Sequence, residues 1–293
     1  MNLAQMEARQ AANVRPVILA AMTLFGAYRE QPITPREWEQ ILLLLYSQVE
    51  PAAIQSAVIA REFYDAERER VFPGLPRHDI DLKYPSIRNL AKDLFDVRKA
   101  LMREHTTPAE IHRAALAVGQ TVENAGRWTT MKAADKPDSA VTFVDDDEFE
   151  VSYTSRAEQV KKKVRKSKPG VVQGWARVAT GRETCGWCLM LVSRGPVYRS
   201  AGAAGAKVDN RDAMQMTGAS EFSVEEHMNA WHPGCDCKIV PVFDLDNWSG
   251  KDRYEAAENM WKAETKGYSG KDAINAFRRA TEAGKYAEYL ADL

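Results

Sequence analysis

All four cysteines of this 293-residue chain fall between positions 185 and 237, and nowhere else. Cys185 and Cys188 form the tetrapeptide C-G-W-C, and Cys235 and Cys237 close the run W-H-P-G-C-D-C. Two close thiol pairs with His232 beside the second must fasten distant parts of the chain together. C-x-x-C puts two thiolates on one turn, which suits tetrahedral zinc. The two halves offer five donors and zinc takes four. The favoured set is Cys185, Cys188, Cys235 and Cys237, with His232 as the alternate ligand or as an outer partner of the metal. The long gap between Cys188 and Cys235 argues for a clasp inside a larger domain rather than a compact finger. Two disulfides, or reduced thiols beside an ordinary packed core, remain open. A thioredoxin-type redox pair would need a βαβ context that the sequence lacks.

The formal net charge is −1, so no global field draws the protein to nucleic acid or membrane, and any such contact has to be local. The apolar run Val17–Met22 is too short to cross a bilayer, and no signal-peptide cleavage pattern follows it. The chain reads as cytosolic at synthesis, where thiolates favour metal over disulfide.

Residues 1–133 carry helical periodicity and read as a helical domain. Thr34-Pro35-Arg36-Glu37 and Thr107-Pro108-Ala109-Glu110 are capping boxes with proline at the first helical position. Pro51 reads as the start of a further helix through Ile54, Val58, Ile59 and Phe63, and Tyr84-Pro85-Ser86 as the start of another. Pro73, Gly74 and Pro76 mark a break. Residues 134–170 read as a charged linker and a basic helix. An acidic block, Asp145 to Glu148, precedes the cations Lys161, Lys162, Lys163, Arg165, Lys166 and Lys168. Those cations are either a solvated face or a contact for nucleic-acid phosphates. Residues 171–245 read as a mixed Cys-rich domain, with Lys238–Phe243 the strongest strand candidate. Val192–Tyr198 reads as a short strand and turn. Residues 246–293 form a helical tail in which Ser249-Gly250-Lys251-Asp252 recurs as Ser269-Gly270-Lys271-Asp272. The expected fold class is α+β and predominantly helical: an N-terminal helical domain, a smaller mixed α/β domain with a cysteine clasp, and a short helical tail.

Catalytic patterns are scarce. There is no G-x-S-x-G, H-E-x-x-H or G-x-x-x-x-G-K-[ST]. Ser193 with His227 or His232 would supply a nucleophile and a base, but nothing around Ser193 marks it as activated. An HNH-type metal nuclease would need more polar ligands than His227 between the cysteine pairs. An ADP-ribosyltransferase would need its Ser-Thr-Ser before Glu-x-Glu, whereas Glu148-Phe149-Glu150 precedes Tyr153-Thr154-Ser155.

The segment Gly174-Trp175-Ala176-Arg177-Val178-Ala179-Thr180-Gly181 runs into Cys185-Gly186-Trp187-Cys188-Leu189-Met190-Leu191. Ser193-Arg194-Gly195-Pro196-Val197-Tyr198 and His232-Pro233-Gly234-Cys235-Asp236-Cys237 follow. Over roughly residues 171–245 this pattern resembles the MuF-like minor capsid, or head morphogenesis, proteins of tailed bacteriophages, in particular those of actinobacterial hosts. The resemblance implies a structural, non-enzymatic virion protein in the head interior or near the portal. Its implied partners are the portal protein and the major capsid or scaffolding protein, with contact to packaged dsDNA through the basic block and no membrane. It implies work in head assembly and in genome packaging or ejection. Two alternatives stand beside it: a capsid maturation protease, and a zinc-stabilised DNA-binding module.

Overall fold

The computed structural model describes residues 1–136, 138, 141–143, 148–154, 159–165, 172–180, 184, 186–197 and 237–286. Three long helices form the body: α1 (Leu3–Gly26), α2 (Pro35–Val71) and α5 (Pro108–Asp135). Two short ones, α3 (Ile87–Asp93) and α4 (Phe95–Leu101), lie between α2 and α5 in the chain. The capping boxes read from the sequence are made. Thr34 and Thr107 each accept from the backbone N–H of Glu37 and Glu110, whose carboxylates accept in return from the cap residue's own N–H. Asn2 with Gln5, and Ser86 with Asn89, do the same for α1 and α3.

The helices pack through a seam that alternates bulky and small residues. Val14, Val17, Phe25, Trp38, Ile41, Leu45, Val118 and Val122 fill it, with Leu90, Leu94 and Leu101 from the short helices. Where the axes come closest the sequence supplies Ala53, Ala57, Ala125 and Gly126. A Cβ on Gly126 would stand 3.0 Å from Ser56 Oγ and 3.1 Å from Gln10 Nε2, so α5 fits against both neighbours only without one. Gln10 and Ser56 fill the remaining polar space with mutual hydrogen bonds: Gln10 Nε2 donates to Ser56 O, and Ser56 Oγ donates to Gln10 Oε1.

Pro51 does not begin a helix. It lies inside α2, which runs unbroken for 37 residues, about 55 Å at the usual rise. Pro51 is exposed, so the Ser47 carbonyl that loses its in-helix donor can turn to water, while Val49, Ala52 and Ala53 are buried on either side. Packing against α1 and α5 holds both halves in line, and Asn13 Nδ2 reaches across to the Ala52 carbonyl at 2.8 Å. By length and composition α2 is also the one described helix able to cross a membrane, a test that a core helix of this kind passes equally.

The basic helix expected within 134–170 is a strand. β1 (Val141–Phe143), β2 (Glu148–Thr154) and β3 (Gln159–Arg165) form an antiparallel sheet in the order β1-β2-β3. β2 alternates by twos, Phe149, Val151 and Tyr153 against Glu148, Glu150 and Ser152; β3 does so with Lys162 as the exception, Val160 and Val164 against Lys161, Lys163 and Arg165. That period is the strand's, and it outweighs the helix preference of lysine and arginine. The register sets Arg165 opposite Glu148 and Lys163 opposite Glu150, two pairs of opposite charge across the ladder.

A second sheet joins β4 (Gly174–Val178) to β5 (Lys238–Val242), antiparallel, with Ala176 opposite Val240 and Trp175 opposite Pro241. All five residues of each strand are buried. Ala176, Val178, Val240, Val242 and Trp248 share one hydrophobic cluster with Leu3, Met6, Ile59 and Phe63 of α1 and α2. The helical body and the sheet therefore have a core in common. Three more helices follow the strands' chemistry: α6 (Gly186–Val192), between β4 and β5 in the chain, and α7 (Lys251–Glu264) and α8 (Gly270–Glu282) after them. The repeated S-G-K-D precedes both tail helices, but in different roles. Gly250 is the N-cap of α7 and Ser269 that of α8, and neither cap makes a side-chain hydrogen bond.

The internal position of Pro51 gives a direct check. Pro51→Ala should stabilise the protein by about 2 kcal/mol in urea unfolding, because a missing helix bond is restored. No change, or a loss, would mean that α2 is broken there.

Candidate functional site

The signature residues of the 171–245 segment are brought together between the helical body and the tail helices. Trp175 and Arg177, on β4, are both 2% exposed, and Arg177 is among the largest fully buried side chains. Cys188, Leu189, Met190 and Val192 are buried on α6, where Leu189 and Met190 cluster with Met260 of α7 and Phe277 of α8. Trp261 closes that cluster edge-on to Phe277 at 5.2 Å between ring centroids.

The glycines of the signature are explained by close approaches. A Cβ on Gly186 would lie 2.2 Å from Thr281 Oγ1 and 3.4 Å from the Arg278 Cα, so α6 rests on α8 at this point. Gly195 has φ +61° and sits against the Tyr254 ring, 2.7 Å from its Cε2 to where a Cβ would be. Gly250, at φ +97°, lies under the Val178 side chain. In the Val192–Tyr198 stretch, expected as a short strand and turn, Val192 is the last residue of α6 and residues 193–197 are turn and coil.

Ser193 is buried, and its Oγ donates to the Met190 carbonyl at 2.8 Å. That bond ties it to the last turn of α6. Cys188 and Cys237 are both buried. Cys237 immediately precedes β5, and its carbonyl accepts from Arg127 Nη2 at 3.2 Å. Cys185, Cys235, His232 and His227 lie outside the described residues. Among the described residues no cluster of three or more His, Cys, Asp or Glu is arranged to hold a metal ion. Of the basic block, Lys161, Lys162, Lys163 and Arg165 are on β3, opposite Ser152, Val151, Glu150 and Glu148 respectively. Lys166 and Lys168 lie outside the described residues.

The charged residues that fix this region to the helices carry no local sequence signal. Arg253 of α7 pairs with Glu7 of α1 at 2.6 Å and also donates to the Ala179 carbonyl at the end of β4. Lys238 of β5 and Arg127 converge on Glu123 of α5, at 2.8 and 3.0 Å. Ser249 Oγ donates to the buried Glu67 carboxylate at 2.7 Å, and Arg70 of α2 donates to the Asn247 carbonyl. A cavity of about 20 Å³ remains between α1, α2, α5 and β5, lined by Gln10, Glu123, Arg127, Thr130 and Lys238. It has room for one water.

The fold and this region define a predominantly helical protein in which a small, doubly buried sheet is locked to long helices. Its relatives are phage proteins. The VG15 protein family matches residues 150–263, from within β2 to the end of α7. The chain is similar to the gene 15 protein of Mycobacterium phage D29, 34% identical over 276 residues that cover 86% of this chain and 88% of the relative. It is also similar to the gene 15 protein of Mycobacterium phage L5, 32% identical over 240 residues, covering 77% and 72%. No solved structure matches. The chain belongs to the VG15 family of phage gene 15 proteins.

If the signature glycines are packing residues, Gly195→Ala should destabilise the protein by about 1–3 kcal/mol, since it adds left-handed strain and a clash with Tyr254. A urea-midpoint shift checks this. An unchanged midpoint would show that the glycine serves something other than packing.

Proposed function

We propose that this protein is a structural minor capsid protein of the MuF-like kind, acting in head assembly with the portal and in genome packaging or ejection. The observation that carries the reading is the fate of the signature residues. Trp175, Arg177, Cys188, Met190 and Gly195 are buried or pressed against neighbouring elements. A motif spent on packing is what a fold signature of an assembly protein requires, and a catalytic motif would present its groups to a cleft. The mycobacteriophage relatives, aligned over most of their length, supply the phage context. The buried Ser193, bonded to its own helix, argues against the capsid maturation protease. Its proposed station is the head interior or the vicinity of the portal. Its partners there are the portal and the major capsid or scaffolding protein.

Co-expression with the cognate portal, scaffolding and major capsid proteins tests this. The protein should sediment with procapsids, and no cleavage of the capsid protein should depend on it. Cleavage that is lost in Ser193→Ala or His227→Ala would replace the structural reading with the protease.

The buried Cys188 and Cys237 would supply two thiolates of a structural zinc site completed by Cys185 and Cys235, with His232 as the alternate. Elemental analysis of protein purified under reducing conditions should give about one zinc per chain. Folded, metal-free protein with four titratable thiols would refute the site.

Contact with packaged dsDNA is proposed through the basic block. Glu150 and Glu148 stand opposite Lys163 and Arg165, whereas Lys161 and Lys162 face uncharged positions. Neighbouring strand residues belong to opposite faces of a sheet, so Lys161→Gln alone should lower the magnitude of the slope of log affinity against log salt by about 1. Absence of DNA binding at low salt removes this contact.

A further inference from the structure

Between α2 and α3 the chain crosses the body as an extended segment without regular secondary structure, residues 75–86. Side chains of α2 hold it down. Arg61 donates from Nη1 to the Ile80 carbonyl at 2.9 Å and from Nη2 to the His78 carbonyl. Arg68 donates to the Pro76 carbonyl at 2.6 Å. From α5, Thr129 Oγ1 accepts from the Lys83 N–H at 3.0 Å. Leu75 and Ile80 are the buried apolar anchors.

At the centre is His78, which is only 4% exposed. Its Nδ1 is 3.0 Å from the Tyr64 hydroxyl, and its Nε2 is buried with no hydrogen-bond partner. Tyr64 is itself covered by an edge-on contact with Phe243, which follows β5. The charged surroundings are already committed to one another. Arg68 forms a buried two-point ion pair with Asp138. Arg61 and Arg77 both engage Asp65. Lys136, at the end of α5, pairs with Asp79. Around the imidazole there are thus four cations, Arg61, Arg68, Arg77 and Lys136, against three carboxylates, Asp65, Asp79 and Asp138. A protonated His78 would add a buried fifth cation with no carboxylate of its own.

We propose that residues 75–86 form a proton-released strap, in which protonation of His78 detaches the segment from α2 and the end of α5. Burial disfavours the imidazolium most and Arg68 and Arg61 add repulsion; the Asp138 carboxylate and the Lys136 backbone carbonyl offset this only in part, so the histidine titrates below its ordinary value. The sign follows. The closed form stays neutral while the open form binds a proton in the usual way near pH 6.5. The strap is therefore held fully above that pH and loosens as the pH falls below it. The open form's own proton binding near pH 6.5 sets the ceiling on this effect, a rise of about 25-fold in the open population between pH 7 and pH 5.

Hydrogen exchange of the full-length protein, read by mass spectrometry and corrected for intrinsic rates, tests the strap. Protection of peptides covering residues 75–84 should fall from pH 7 to pH 5, by up to about 25-fold, while peptides from the middle of α5 keep theirs. In His78→Gln, which cannot titrate, strap protection should not change with pH. Should that variant fail to fold, the NMR titration of the wild-type His78 imidazole decides, with a midpoint below that of the same histidine in the denatured chain expected. Flat protection in the wild-type protein, an equal fall in His78→Gln, or a His78 midpoint at or above the denatured one would each overturn the proposal.

Discussion

The antiparallel pairing of Gly174–Val178 with Lys238–Val242 is the constraint on which the rest of this structure depends. A two-stranded sheet has little stability of its own in water. This one persists because both strands are wholly buried, with Ala176, Val178, Val240 and Val242 set against Leu3, Met6, Ile59 and Phe63. The first residues of α1 and a segment near the end of the chain are thereby parts of the same core. The ion pair of Glu7 with Arg253 and the hydrogen bond of Ser249 to Glu67 lie along the same junction. Such partly buried polar contacts count for little as attractions alone, but leaving the buried Glu67 carboxylate unpartnered is costly, so they favour one way of docking the tail onto the helices.

That junction also bears on where the distinctive residues of the 171–245 segment lie. Arg177, Gly186 and Gly195 are far apart in chemistry but alike in circumstance. Each is tightly enclosed: Arg177 is fully buried in β4, and Gly186 and Gly195 leave no room for a Cβ against Thr281 and Tyr254. A pattern of tryptophans, glycines and cysteines in a chain without an evident nucleophile then reads as the record of a packing problem. The proposed head-assembly role asks for a rigid body rather than a reactive cleft, and this arrangement suits it.

Much of this was legible in the sequence, for local reasons. Thr34 to Glu37, Thr107 to Glu110 and Ser86 to Asn89 announce helix starts because the cap, the third helical residue and the backbone lie within a few ångströms of each other. Lys238–Val242 reads as a strand from its β-branched residues. Pro51 misled because proline is locally a helix starter, while its tolerance inside α2 is decided by α1 and α5. The basic block misled because Val160 and Val164, four apart with Lys162 between them, fit a helix face as well as a strand face, and pairing with the alternating β2 decides for the strand. The pairs Arg253 with Glu7, Lys238 with Glu123 and Arg68 with Asp138 join residues far apart in the chain, and nothing in a local window could have proposed them.

The account's central claim is that helices α1, α2 and α5 and the β4–β5 sheet fold as one body. Differential scanning calorimetry of the whole chain measures this most directly. A shared core predicts one cooperative transition with equal calorimetric and van't Hoff enthalpies, and Val240→Ala should move the melting of helix and sheet together. Two separable transitions, with only the later-melting or earlier-melting one shifted by Val240→Ala, would contradict it.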